Sequence, residues 1–279
     1  MERKIFSRVL GLAAASCVLW TGTAQATVNI ALVPVGNVGN AADTTGYGSV
    51  GYAYNIGKYD VTAGQYTAFL NAVAKTDTYG LYRSSMASGF AACGIVQTPI
   101  TGGYSYNVDA QHQNYPVNNV SFWDACRFTN WLQNGQPTNV GQVAGTTETG
   151  AYDLTNPTAI TNNTVTRSLG ASWAVASENE WYKAAYFDPA KSGGAGYWVY
   201  PTRSNTAPGN SLALAATTPN EANYYVSGYT DPVNYLTPVG TFVASPSPYG
   251  TFDEGGDVLQ WNDTNSYGSS RGLRGGSFH

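Results

Sequence analysis

RGLRGGSFH, Arg271 to His279, is the stretch whose reading decides the fold. Adjacent glycines followed by a serine and a phenylalanine specify a tight turn that presents whatever comes after it. Working upstream, YGTFDEGGDVLQW (Tyr249 to Trp261) holds a second glycine pair, with Asp253, Glu254, Asp257 and Gln260 around Gly255 and Gly256. Before that, EANYYVSGYTDPVNYLTPVG (Glu221 to Gly240) sets Asn223 and Asp231 in a loop without periodicity. Calcium takes six to eight oxygens from carboxylates, amides and backbone carbonyls, and loops of this kind can wrap it. On composition alone, Asp, Asn and Gly in loops read first as turn formers.

Three segments predict helices, each opening with a capping box. In TAGQYTAFLNAVAK, Thr62 caps and Gln65 reaches back, while Tyr66, Phe69, Leu70 and Val73 recur at helical spacing. In SFWDACRFTNWLQNG the box is Ser121 and Asp124, and Gly135 supplies the stop. Its apolar residues run most of the way round, which predicts burial on several sides. In SENEWYKAAYFDP the box is Ser177 and Glu180, and Asp188-Pro189 ends the helix. GYAYNIGKYDV predicts a strand, and GAYDL, NTVTR and ASWAVA predict a hairpin followed by a core strand. Pro201 to Gly256 is mostly loop, and loops of that length are functional or held by something.

The chain has 279 residues, with 13 basic and 17 acidic side chains and a net charge of −4. Residues 1–26 read as an export signal: Arg3, Lys4 and Arg8, an apolar run from Val9 to Trp20, and a small-residue cleavage site at Ala24-Gln25-Ala26. Removing them takes away Arg3, Lys4, Arg8 and Glu2, leaving 10 basic against 16 acidic residues, a net −6. An acidic chain without a basic run excludes nucleic acid and anionic lipid as partners. No later segment is long and apolar enough to span a bilayer. The expected location is outside the cytoplasm: periplasmic, extracellular or on the cell surface. Only 11% of residues are charged, against about a quarter in ordinary domains, and Tyr, Gly, Asn, Thr and Ser take their place. Once Cys17 leaves with the signal, Cys93 and Cys126 remain, and in an exported chain they are read as a disulfide. The two histidines, His112 and His279, lie beside no nucleophile-elbow sequence, and no zinc-type spacing occurs, so hydrolase and zinc readings are rejected.

Taken in order, YDVTAGQYTAFLNAV, YPVNNVSFWDACRFTNWL, VASENEWYKAAY, TPVG, YGTFDEGGDVLQW and LRGGSF resemble the sulfatase-modifying factor family, the formylglycine-generating enzyme domain related to C-type lectins. The resemblance runs from about Leu32 to His279. It implies an α+β fold: a single loop-rich, C-type-lectin-like domain with little regular secondary structure, spanning 27–279 after the signal. It also implies two calcium sites. The first would use the side chains of Asn223 and Asp231 with the carbonyls of Tyr224 and Val233. The second would use Asp253, Gln260 and the carbonyls of Gly256 and Val258, where the family usually has Asn and Glu at the two side-chain positions.

Enzymes of this family oxidise a sulfatase cysteine to formylglycine with copper and oxygen, holding the copper on two thiolates soon after the Gly-Gly-Ser-aromatic turn. By that spacing the first thiolate falls immediately after His279, so the domain is read as truncated at its C-terminus and copper as unsupported in this chain. Leu259 stands where the family usually carries a Trp, and Ser277 matches an oxygen-site serine only as a vestige. The favoured reading is an exported, calcium-stabilised, non-catalytic binding or structural module, with a protein or glycan as ligand. The alternative is a copper-dependent formylglycine-generating oxidase whose cysteines lie beyond residue 279.

Overall fold

The computed structural model describes residues 27–156, 164–265 and 270–279. Its elements in chain order are β1 (Leu32–Val35), β2 (Tyr54–Gly57), α1 (Ala63–Val73), β3 (Ile95–Ile100), β4 (Gly103–Val108), α2 (Phe122–Gln133), α3 (Glu178–Tyr186), β5 (Phe187–Asp188), β6 (Gly196–Tyr197), β7 (Gln260–Asn265) and β8 (Arg271–Arg274). The strands pair two by two into four short antiparallel ribbons: β1 with β2, β3 with β4, β5 with β6, and β7 with β8. Long loops connect them, giving the loop-rich α+β domain that the family resemblance implies. The proposed signal, 1–26, lies outside the described residues.

All three helices form with the predicted reciprocal caps: Thr62 with Gln65, Ser121 with Asp124, and Ser177 with Glu180. Each box satisfies helix N–H groups that would otherwise be orphaned at the first turn. α1 and α2 bury their apolar faces against each other and against the β3–β4 ribbon. Phe69 lies at their centre, its ring 5.4 Å from Tyr66, 5.3 Å from Phe128 and 5.3 Å from Trp131. A second cluster joins Phe122 and Cys126 of α2 to Tyr152, Leu154 and Val175, with Trp261 of β7 against it.

The predicted hairpin and core strand around residue 150 do not form: GAYDL and ASWAVA hold no strand, and NTVTR falls partly outside the described residues. Side chains from elsewhere take the backbone bonds that a neighbouring strand would have supplied. Asn130, fully buried in α2, donates to Thr147 O and Tyr152 O and accepts from Tyr152 N. Gln133 accepts from Ser172 N and Trp173 N, and Arg167 donates to Val175 O. The β3–β4 hairpin was not anticipated. Its signal is Gly102-Gly103, both at positive φ, where Gly103 passes so close to Lys75 O that a Cβ would lie 2.0 Å from it.

Candidate cation loops and the C-terminal turn

The three loop stretches singled out in the sequence meet in space. β7 and β8 pair with Gln260 opposite Arg274 and Trp261 opposite Leu273, which returns the C-terminal turn onto the acidic loop. Gly256 N donates to Gly275 O at 2.7 Å, and Phe278 N to Asp257 O at 2.9 Å. Asp257 N in turn donates to Asn223 O at 2.8 Å. The Gly-Gly-Ser-Phe turn is thus a clamp: it holds the 253–260 loop against the 221–240 loop. Ser277 closes the turn locally, donating from Oγ to His279 O and accepting from His279 N. That is the geometry of a turn-forming serine.

Asn223 is buried at the meeting point. Its amide nitrogen donates to Tyr235 O at 2.9 Å and to Asp257 Oδ1 at 3.0 Å, while its Oδ1 is buried without a hydrogen-bond partner. An orphaned amide oxygen of this kind is costly in a protein interior. Asp231 bonds its own loop: Oδ1 accepts from Val233 N and Asn234 N, and Oδ2 from Asn234 Nδ2. Burial would raise its carboxyl, but these Asn234 and Val233 donors outweigh it and the net shift is downward. It is an anion at neutral pH in the same loop as Asn223. Tyr224 O accepts from Asn210 Nδ2 at 3.1 Å, and Val233 is solvent-exposed.

The acidic loop is more deeply buried. Asp253 sits at φ +64° and accepts from Gly240 N at 2.6 Å; burial pushes its carboxyl up to about 6. Glu254 and Asp257 are each pushed up to about 8, by burial first, with the charge of Asp253 adding to it. Asp257, weighed in the sequence but not carried into the ligand set, proves a structural hub. It accepts from Asn223 Nδ2 and from both the backbone and the hydroxyl of Thr237. Gln260 is occupied at both ends: Oε1 accepts from Trp181 Nε1 at 2.5 Å, and Nε2 donates to Asp253 O at 3.0 Å. Among the described residues no three of His, Cys, Asp and Glu converge as a metal cage. A cation here would therefore lean on amide and backbone oxygens.

Beside the 221–240 loop lies a patch of rings drawn from three segments. Phe90, largely exposed, lies 4.4 Å from Tyr235 and 5.4 Å from Phe278, centroid to centroid. Tyr229 lies 4.9 Å from Tyr235 and 5.1 Å from Tyr225. Leu259, at the position the family usually gives to Trp, is half exposed.

The disulfide expected between Cys93 and Cys126 does not form. Both are free and buried, Cys93 in the α1–β3–β4 core and Cys126 in the second cluster around Tyr152. Helix and hairpin packing puts them in different clusters, and burial pushes both thiols up, away from the thiolate. Both should resist DTNB in the native chain and react only in denaturant. A rapid native reaction, or a disulfide-linked mass under non-reducing conditions, would contradict this arrangement.

The profile of the family described as sulfatase-modifying factor enzyme 1-like domain matches residues 23–279. Among solved structures, the chain is similar to the one titled "Crystal Structure of CarF", at 21% identity and a TM-score of 0.49, over 90% of this chain and 88% of that one. No curated protein sequence matches.

Proposed function

The chain belongs to the sulfatase-modifying factor enzyme 1-like domain family, and from that premise we propose that it is an exported, calcium-stabilised binding module without formylglycine-generating activity. The observation that carries the binding role is the ring patch of Phe90, Tyr225, Tyr229, Tyr235 and Phe278 beside the loop of Asn223 and Asp231. Aromatic side chains give large contact area at low entropy cost, which suits recognition of a protein or a glycan. Calcium is supported by the orphaned Oδ1 of Asn223 and the ionised Asp231. With the carbonyls of Tyr224 and Val233 these would hold the ion within the 221–240 loop. For the second set, Asp253 with the carbonyls of Gly256 and Val258, support is thinner, because Gln260 already bonds Trp181 and Asp253.

The absence of oxidase activity is supported by the cysteines. Copper(I) held by this family needs a pair of thiolates, and Cys93 and Cys126 are separated, buried and protonated. Anaerobic titration with Cu(I) against a competing chelator should give no stoichiometric tight binding; tight binding would overturn this part.

Chelation tests the calcium. An ion that binds only the folded chain at about a hundred times its Kd stabilises it by about 2.7 kcal/mol. For a chain of this size that corresponds to a melting temperature shift on the order of 5–10 °C. EDTA should produce that fall, and calcium, not magnesium, should reverse it. An unchanged melting curve with no calcium by elemental analysis would sink the reading.

A further inference from the structure

A cavity of about 590 Å³ lies among β1, β2, α2, α3, β7 and the loop at residues 171–176. Its floor is buried and apolar: Phe128 and Leu132 of α2, Val175, and Trp181 of α3. Its rim is apolar too, yet stands in solvent, at Leu32, Tyr52 and Leu259. The rings of the surface patch, Phe90 to Phe278, take no part in its lining.

The polar heads along this wall are already paired within the protein. Tyr52 Oη donates to Glu180 Oε1, Tyr54 Oη to Glu180 O, and Thr129 Oγ1 to Cys126 O. The indole N–H groups of Trp181 and Trp261 donate to Gln260 Oε1 and Val120 O. Arg167 is committed to Glu180 and Asp263, and among the described residues no lysine lines the cavity. Asp60 and Glu254 border it, but their unpartnered Oδ2 and Oε2 have no accessible surface and do not reach into it. A buried water needs two to four polar partners to be held, and this wall leaves few. Water held so poorly is displaced at a gain by an apolar group.

We infer that this cavity binds an uncharged, largely apolar ring compound, seated against the Phe and Trp faces of the floor and reaching out to the rim of Leu32, Tyr52 and Leu259. The volume falls within the roughly 300–1,000 Å³ of small-molecule sites. Aromatic walls offer flat apolar area to a ring, and a rigid ring body loses little freedom on binding. Either sign of charge would leave water for a wall that presents no free counter-charge, which is costly. The inference goes beyond the calcium and surface-recognition reading and does not depend on it.

The test is titration of the full chain at neutral pH with three probes of one shape: 1-adamantanol, 1-adamantanecarboxylate and 1-adamantylammonium. Binding is followed by calorimetry and by Trp fluorescence, which reports on this cavity because Trp173, Trp181 and Trp261 line it, whereas the surface ring patch contains no Trp. The alcohol should saturate at one molecule per chain and bind at least about tenfold more tightly than either charged analogue. Ala174→Phe adds a ring to the cavity wall. It should weaken binding of the alcohol at least about tenfold in a chain that still melts cooperatively. The proposal is overturned if the alcohol gives no saturable signal at millimolar concentration, or if either charged analogue binds as tightly. Wild-type affinity in folded Ala174→Phe overturns it as well. Should that variant fail to fold, Leu32→Ala at the exposed rim takes its place: a severalfold loss is expected there, and wild-type affinity would sink the inference.

Discussion

Replacing Arg167 by Met is expected to destabilise the fold by about 3–5 kcal/mol at neutral pH, the range for breaking one side of a buried ion pair. Arg167 Nη1 and Nη2 bond the two oxygens of Glu180 at 2.9 and 2.8 Å, and Nε reaches Asp263 Oδ2 at 3.2 Å. Glu180 also receives Ser177 N at the start of α3 and the Tyr52 hydroxyl, and Asp263 receives Tyr152 Oη. One guanidinium therefore ties α3, β7 and the 175 loop together, and its loss leaves two carboxylates buried without a cation. The pH dependence follows from Glu180. Burial would raise its carboxyl, but the bonds from Arg167, with Ser177 and Tyr52, outweigh it and hold the group down at about 2, against an ordinary 4.5. A depressed carboxyl contributes stability that is present above about 4.5 and lost as pH falls towards about 2. The difference between wild type and Arg167→Met in urea should therefore shrink across that window. A difference that stays constant from neutral pH down to pH ~2 would mean the linkage sign is wrong.

Gly256→Ala is expected to cost on the order of 3 kcal/mol or more, combining left-handed strain with overpacking. Gly256 lies at φ +94°, and a Cβ there would stand 2.1 Å from Asn223 O, a backbone atom with no rotamer to yield. The loops would have to separate, breaking the bonds from Asp257 N to Asn223 O and from Gly256 N to Gly275 O. Gly276→Ala is the matched control. Its φ is +76° but nothing lies within 4 Å of the added Cβ, so only the left-handed cost of about 1–2 kcal/mol applies. Equal effects of the two substitutions in denaturant melts would show that the close approach to Asn223 is not what Gly256 provides. If the loops also hold calcium, Gly256→Ala should in addition lose the response to EDTA that Gly276→Ala retains.

The sequence alone determined the three helices, because each carries its own boundary: a cap, its reciprocal partner three residues on, and an apolar face at helical spacing. These are short-range signals that survive without knowledge of the rest of the chain. The family, too, was legible, from the order of motifs ending in Leu273 to Phe278. What failed was long-range. Residues 150–154 and 171–176 look like strands, yet side chains of Asn130 and Gln133 capture their backbone, and nothing in their own pattern announces that. Cys93 and Cys126 invite a disulfide by compartment and count, but packing assigns them to different clusters. Candidate ligands Asn223, Asp231, Asp253 and Gln260 could be picked out as polar residues in glycine-rich loops. Only the tertiary structure shows which of their atoms are satisfied and which, like Asn223 Oδ1, Asp60 Oδ2 and Glu254 Oε2, are not. The physical reason is range. Capping and periodicity act over a few residues and are written locally, whereas desolvation and hydrogen-bond satisfaction depend on every group that folding brings alongside.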